Sequence, residues 1–209
     1  MTRASLVACL LYAGGILAVV GSPMARAENG ISVFGGWRAS GGLEDATSGH
    51  DVHISDSAAV SVALDLTFDE SRQIQIFGSY QHTSMTVTPT DQPATSERLS
   101  LKVAYLHIGG TNFFAGPVGR GAYVAGGLGV TLLSPGLNGL ESEVRPSLSL
   151  GLGYVVPVAG SLALRLEGRG YFTLVDSSGG LFCSGGCTVA IKGKSLTQGE
   201  AMLGLTWRF

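Results

Sequence analysis

Few residues in the sequence combine the types and the spacing that catalysis requires. His82 and Ser84, in the stretch QHTS, could supply a general base and a nucleophile two residues apart, and Glu97 follows further along the chain. Such a pair works only when the base lies within hydrogen-bond reach of the nucleophile. The motif is short and arises often by chance, so we interpret it as a strand-end histidine beside a loop serine. We predict no catalytic residues and no enzymatic activity.

Candidate ligands for a metal or a nucleotide are also weak. Two histidines and two aspartates cluster in the stretch GHDVHISD, at His50, Asp51, His53 and Asp56. Imidazole and carboxylate groups can bind a transition metal, but a solvated acidic surface loop is the simpler interpretation. Gly151 and Gly153, like Gly168 and Gly170, begin as a phosphate loop does, yet neither pair is followed by a third glycine or a helix. We therefore predict no metal and no cofactor.

The first residues of the chain have the parts of a secretory signal. Arg3 supplies a charged start, an apolar run follows, and Ala25 and Ala27 form a small-residue cleavage site. We predict a signal peptide over residues 1–27 and one domain over residues 28–209. The alternatives are an uncleaved anchor and a lipoprotein that is acylated at Cys9.

Export determines how the remaining charges and cysteines are interpreted. Removal of the signal takes away Arg3 and Arg26 and moves the formal charge from −2 to near −4, so no basic patch remains for nucleic acid. Cys183 and Cys187, in LFCSGGCTV, enter an oxidising compartment, where two glycines between them allow a tight loop to close. We predict a disulfide between them; a metal pair would need two further ligands, and no histidine is near in sequence.

The rest of the sequence alternates between apolar and polar residues. The chain is 45% apolar and 13% charged, with 32 glycines, yet its only long apolar run is at the N-terminus. Alternation with a period of two is typical of strands. The segments cover about residues 30–39, 57–68, 73–84, 98–108, 120–133, 143–156, 161–174 and 201–209. Long connections, at about 40–56, 85–97, 134–142 and 175–196, mostly alternate with short ones; only the connection GGTNFFAGPVG fits this poorly.

Each segment has an apolar face and a face of small or charged residues. In the fourth segment, Leu101, Val103 and Tyr105 would share the apolar face, opposite Lys102. Nine charged residues fall on the polar faces: Arg38, Asp65, Lys102, Arg145, Arg165, Glu167, Arg169, Glu200 and Arg208. An eight-stranded barrel has an interior just wide enough for side chains, so small residues would make room there and opposite charges would pair. The apolar faces would then meet lipid, with these aromatic residues as girdles near strand ends: Trp37, Phe68, Tyr80, Tyr105, Tyr154, Phe172, Trp207 and Phe209.

With these features the sequence resembles the small eight-stranded outer-membrane barrels of Gram-negative bacteria, of the OmpA/OmpX type. The resemblance extends from Asn29 to Phe209 and implies an all-β fold, an eight-stranded antiparallel up-and-down transmembrane barrel, integral in the outer membrane. It also implies contact with outer-membrane lipid and lipopolysaccharide. The last residues imply an assembly signal for the barrel-assembly machinery, through Leu203, Leu205, Trp207 and Phe209.

For function, the resemblance leaves three classes open. Members of this family include adhesins and structural barrels, narrow channels and lipid-modifying enzymes. We expect a structural or surface-interaction protein whose extracellular loops contact an unknown ligand. The alternative is a porin-like channel for small solutes, which nine charged side chains would obstruct. A lipid A hydrolase is less favoured: the spacing of His82 and Ser84 is similar to that in outer-membrane deacylases, but the asparagine-rich surroundings of that family are absent.

Overall fold

The computed structural model describes residues 29–41, 43–44, 51–88, 97–114, 116–136, 141–174 and 195–209. Most of these residues lie in β-strands. In chain order the strands are β1 (Gly30–Ser40), β2 (Leu43–Glu44), β3 (Asp51–Ile54), β4 (Ser57–Thr67), β5 (Arg72–Thr88), β6 (Glu97–Phe113), β7 (Gly121–Pro135), β8 (Glu143–Ala159), β9 (Leu162–Leu174) and β10 (Ser195–Arg208). No helix in this part of the chain is long and apolar enough to cross a bilayer.

Eight of these strands close into an antiparallel barrel. The order is β5-β4-β1-β10-β9-β8-β7-β6, and β6 pairs with β5 to complete the ring. The last strand pairs with the first along its length, from Gly30 opposite Arg208 to Ser40 opposite Gln198. The short β3 pairs with the upper part of β5, beyond the end of β4. Closure leaves no unpaired strand edge, which a barrel in lipid requires.

The two ends of the barrel differ in their connections. Asn29 and Phe209 lie at the same end as the connections at 68–71, 114–120 and 160–161, and we call this the turn end. The opposite end, which we call the loop end, receives the connections at 41–56, 89–96, 136–142 and 175–194. The connection that fitted poorly is therefore shorter than the sequence indicated, because β6 continues through Phe113 instead of ending near residue 108.

The side chains alternate between the barrel interior and an exposed outer wall. Outward residues are large and apolar on every barrel strand, for example Val33, Val62, Leu128 and Leu205, each exposed by more than half. Inward residues are buried. Seven of the eight segments have the two faces that the sequence predicted.

The fourth segment is the exception, and the prediction for β6 was wrong. Leu101, Val103 and Tyr105 point into the barrel and are at most 2% exposed, whereas Lys102 is exposed on the outer wall. The reason is that the interior near the loop end is itself apolar: Leu101 and Val103 pack there with Met85 and other buried residues. Near the loop end, hydrophobicity therefore cannot distinguish the inward face of β6 from its outward face. Tyr105, expected in a girdle, is an interior residue.

Glycines allow β6 and β7 to approach each other closely. A Cβ atom added at Gly109 would overlap the carbonyl oxygen of Gly126, and one added at Gly129 would overlap that of Leu106. Only glycine fits at these two positions. They allow the backbones of these two long strands to pair without a side-chain clash.

Candidate functional site

Near the turn end, Arg165 lies at the centre of the barrel interior, where it contacts two carboxylates and a tyrosine. Arg165 donates from Nη1 to Asp65 Oδ2 at 2.6 Å and from Nε to Tyr123 Oη at 2.6 Å. Its Nη2 lies 3.5 Å from Glu167 Oε2, and Tyr123 Oη donates to the same carboxylate. All four side chains are almost completely buried. These contacts connect β4, β7 and β9 across the barrel interior and so stabilise the closed wall.

A second arginine extends this group toward the middle of the barrel. Arg169 donates from Nε to Glu167 Oε1 at 2.6 Å and from Nη2 to Gln75 Oε1 at 2.7 Å. Gln75 in turn donates from Nε2 to Asp65 Oδ1 at 2.7 Å. The guanidinium also lies over the ring of Phe77, 3.8 Å from its centroid. Glu167 therefore accepts hydrogen bonds from Arg169 and Tyr123 while also facing Arg165.

A third arginine forms its own pair closer to the loop end. Arg38 Nη2 lies 2.7 Å from Glu200 Oε2, and both side chains are fully buried. Tyr171 Oη donates to the same oxygen at 2.6 Å, and Ser61 Oγ donates to Glu200 Oε1 at 3.1 Å. The Arg38 guanidinium lies over the rings of Tyr105 and Tyr171, at 5.0 and 4.8 Å.

These six ionised side chains balance in charge. Three arginines meet three carboxylates: Arg38, Arg165 and Arg169 with Asp65, Glu167 and Glu200. An isolated buried charge costs several kcal/mol, and only close pairing with further hydrogen bonds offsets that cost. The polar interior is thus a neutral network in which each member depends on its partners.

Apolar layers lie on both sides of this network. Toward the turn end, Phe113, Val118, Val155 and Ala163 pack around Tyr123. Toward the loop end, the buried residues are Ile54, Met85, Leu101, Val103, Leu133 and Leu196. A cavity at the turn end of the interior, bordered by Asp65 and Arg165, has a volume of about 20 Å³. It has room for about one water molecule. Buried side chains therefore fill the described interior at each of these levels.

The other three residues predicted for the network lie elsewhere. Lys102 is outside the barrel, so its assignment to the interior was wrong. Arg145, half-buried near the loop end, pairs with Glu143 at 2.8 Å. Arg208 donates from Nη2 to the carbonyl oxygen of Gly160 at 2.8 Å, at the turn end. Tyr123 was not predicted as a member of the network, although its position on the polar face of β7 could have indicated a role.

The candidate base and nucleophile do not contact each other. His82 Nε2 lies 2.9 Å from Ser100 Oγ on the neighbouring strand, whereas Ser84 Oγ donates to Ser55 Oγ at 3.1 Å. Both lie on the outer wall near the loop end. The side chain of Glu97 is outside the described residues, as are those of His50, Asp51 and His53. In the described part of the chain, no three His, Cys, Asp or Glu side chains group as metal ligands would.

The C-terminal residues lie where a terminal strand would present them to lipid. Leu203, Leu205, Trp207 and Phe209 point outward and are each exposed by more than half. The Phe209 amide donates to the Asn29 carbonyl oxygen at 2.9 Å, which joins the end of β10 to the start of β1. Cys183 and Cys187 lie outside the described residues, and so do residues 1–27.

Comparisons with solved structures identify the fold. Neisserial surface protein A superposes with a TM-score of 0.59 at 10% identity, over 87% of this chain and 97% of that one. The outer-membrane protein AlkL, solved in lipid bilayers, gives a TM-score of 0.52 at 10% identity, over 91% and 94%. No family model and no curated protein sequence matches the chain.

The predicted fold is confirmed: the chain is an all-β, eight-stranded antiparallel barrel of the small outer-membrane type. Its interior contains a network of buried charges and its outer wall is apolar, whereas a soluble barrel encloses an apolar core and has a polar outer wall. The barrel is therefore an integral outer-membrane protein whose wall contacts membrane lipid. In such barrels short turns face the periplasm and longer loops face outward, so the turn end is periplasmic and the loop end extracellular.

Proposed function

We propose that the protein is a rigid outer-membrane scaffold that acts through its extracellular loops, by contact with a ligand or surface outside the cell. The observation that supports this is the packed interior: a neutral network of six buried charges spans the barrel, between two apolar layers. Solutes crossing it would have to separate these ion pairs, at several kcal/mol each. Such an interior favours a scaffold over a channel. The connections at the loop end, which include the two longest, at 41–56 and 175–194, are the parts left to make contacts.

A conductance measurement separates these two functions. Purified protein, refolded and inserted in a planar bilayer, should give no steady open-channel current in the nanosiemens range. A porin of known conductance, refolded in the same way, serves as the positive control. A persistent open level in the wild-type protein would reject the scaffold and favour the channel.

Binding at the cell surface tests the loop function directly. We would replace the connections at 41–50 and 175–194, one at a time, with short Gly-Ser linkers and display each variant in a Gram-negative outer membrane. Attachment of these cells to host-cell or matrix surfaces should fall, while a Gly-Ser insertion after the exposed Gly116, in the periplasmic connection, leaves it unchanged. Equal attachment by all variants and by cells without the protein would reject this function.

Two further proposals concern the loops and export. Residues 1–27 are removed during export, and Cys183 and Cys187 form a disulfide that orders the longest loop. This disulfide should be dispensable for the barrel because the loop that it closes is very short. Mass spectrometry of the exported protein gives both answers, since its mass reports the cleavage site and alkylation without a reductant reports free thiols. An intact N-terminus or two alkylated cysteines would contradict the respective proposal.

A further inference from the structure

A groove of about 510 Å³ lies on the lipid-facing side of the barrel, between β5 and β8. We call it the β5–β8 groove and define it by Phe68, Arg72, Ile74, Asn112, Gly126 and Leu150. Phe68, Ile74 and Leu150 are 67%, 45% and 59% exposed, so the groove opens outward. Its volume falls in the ~300–1,000 Å³ range of small-molecule sites.

The groove exists because glycines replace large side chains in its floor. Other outward positions on β7 and β8 carry large residues such as Leu128 and Leu152, whereas Gly110 and Gly126 have no side chain to fill the space between Ile74 and Leu150. A Cβ at Gly126 would meet its nearest neighbour, Leu150 Cδ2, at 3.4 Å, which is an ordinary contact. This glycine is therefore not required by close packing, and the space that it leaves is open to a ligand.

The two ends of the groove have different chemistry. Arg72 is the first residue of β5, at the turn end, and pairs across the sheet with Asn112. Leu150 lies in the middle of β8, which places it halfway across the membrane. The groove is thus polar at the periplasmic interface and apolar toward the bilayer centre. A lipid of the periplasmic leaflet has the same polarity and direction.

The polar end carries one charge of each sign. Arg72 Nη2 lies 2.5 Å from Asp69 Oδ2, with side chains 59% and 33% exposed, and the guanidinium lies 5.7 Å from the centre of the Phe68 ring. An anionic head group would meet Asp69 as well as Arg72. A zwitterionic head group can instead place its phosphate on the guanidinium and its ammonium on the carboxylate.

We propose that the β5–β8 groove binds one phospholipid with a phosphoethanolamine head group, from the periplasmic leaflet. One acyl chain lies over Gly126 toward Leu150. The phosphate contacts Arg72 and Asn112, and the ammonium contacts Asp69. This site is independent of the extracellular function proposed above, since it lies at the other end of the barrel.

Native mass spectrometry of the refolded protein in detergent tests this proposal. Phosphatidylethanolamine, phosphatidylglycerol or lipid A is added separately, and bound lipid is counted after detergent is removed in the gas phase. The wild-type barrel should retain one phosphatidylethanolamine in preference to the other two. If no lipid remains bound, or if lipid A binds as well, the proposal is wrong.

Two leucine variants provide the matched comparison. Gly126→Leu fills the groove and should weaken phosphatidylethanolamine binding by about tenfold or more, that is by at least about 1.4 kcal/mol. Gly168→Leu places the same side chain on the outer wall of β9, where a Cβ has no neighbour within 4 Å, and should leave binding unchanged. Folding of both is checked by heat-modifiable migration. Equal binding by the two variants would overturn the proposal.

The head-group assignment has its own variant, which also serves if Gly126→Leu fails to fold. Asp69→Asn keeps the acceptor oxygen that holds the turn and removes the charge. The preference for phosphatidylethanolamine over phosphatidylglycerol should then disappear, while Asp56→Asn, at the loop end, retains it. An unchanged preference in Asp69→Asn would exclude the proposed contact with the ammonium group.

Discussion

The two faces of β9 show how differently the barrel uses adjacent residues. Inward, Arg165, Glu167 and Arg169 each have specific partners at hydrogen-bond distance. Outward, Leu164 and Leu166 are 38% and 59% exposed to lipid. The outer side chains need only be apolar, because lipid adapts its shape to them. The inner side chains need particular partners, because a buried donor or acceptor that loses its partner costs about 1–3 kcal/mol.

The largest expected difference between the two faces of β9 is in the free energy of unfolding that is lost in Glu167→Ala and in Leu166→Ala. Replacing Glu167 with alanine leaves Arg165 and Arg169 with one fewer carboxylate, and removal of one member of a buried ion pair costs about 3–5 kcal/mol. Leu166→Ala on the outer face should cost less than about 1 kcal/mol, since leucine contributes only a few tenths in lipid. Free energies of unfolding, from urea titrations in lipid vesicles, measure both.

A double variant makes this comparison sharper. Glu167→Ala combined with Arg169→Ala restores a neutral interior and should be more stable than Glu167→Ala alone. If the double variant loses the sum of the two single effects, the charges act independently. The network described above would then not be cooperative.

The second prediction concerns Phe209, an outward residue at the end of the closing strand. Its side chain is 61% exposed, while its amide bonds to Asn29. Deletion should lower the stability of the refolded barrel by at most about 1.5–3 kcal/mol, the value of one large apolar side chain. Insertion in a Gram-negative outer membrane should fall further than detergent refolding does, if the terminal aromatic is part of an assembly signal.

The control is Tyr154→Leu, which changes an outward aromatic residue of β8 and leaves the C-terminal residues intact. Equal defects in refolding and insertion, or none in either, would exclude the assembly role of Phe209. This experiment separates what lipid requires of the outer wall from what the assembly machinery requires.

A third and smaller effect is expected at Lys102, the residue whose face was predicted wrongly. A lysine near the membrane interface costs about 0–1 kcal/mol on the outer face of a barrel. Lys102→Leu should therefore leave stability unchanged or raise it slightly. Destabilisation by several kcal/mol would indicate that Lys102 belongs to the interior network. Arg38→Leu provides the comparison, because Arg38 is fully buried against Glu200 and its loss should cost several kcal/mol.

Lys102 also shows where the sequence has limited information. Alternation was sufficient to predict eight strands and the faces of seven of them, because in those strands the interior is more polar than the wall. The closed fold also required the lengths of the connections and the small and charged residues of the polar faces. On β6 both faces are apolar, with Leu101 and Val103 inside and Leu106 and Ile108 outside. Period-two analysis then has no contrast to use, and the phase is set by contacts with distant strands.

The contacts between side chains inside the barrel were even harder to predict from the sequence. The sequence placed Arg165, Glu167 and Arg169 on one face, and the structure brings Asp65, Tyr123 and Gln75 to them from other strands. Which residues meet across the interior depends on the stagger of the whole sheet. The groove was not foreseen either, because Gly110 and Gly126 are ordinary strand glycines until the neighbours Ile74 and Leu150 are placed beside them.

The smallest expected effect comes from an ion pair of the same chemistry in the opposite environment. In the periplasmic turn, hydrogen bonds from the Arg72 side chain and the Ser71 amide lower the pKa of Asp69 to about 2. A lowered pKa stabilises the fold above the ordinary value of 3.8, and this contribution is lost as the pH falls through about 2. Asp69→Asn should therefore be slightly less stable than the wild type at neutral pH and equal to it below pH 2.

Salt distinguishes this exposed pair from the buried ones. At about 1 M salt the screening length is near 3 Å, so the small difference between Asp69→Asn and the wild type should shrink. The cost of Glu167→Ala should persist, because its partners are at most 4% exposed and ions do not enter a packed interior. Unfolding titrations of the two variants at low and high salt measure both effects. An equal reduction of both effects by salt would indicate that water and ions enter the interior. The proposed sealed scaffold and the proposed difference between the two faces of the wall would then both be rejected.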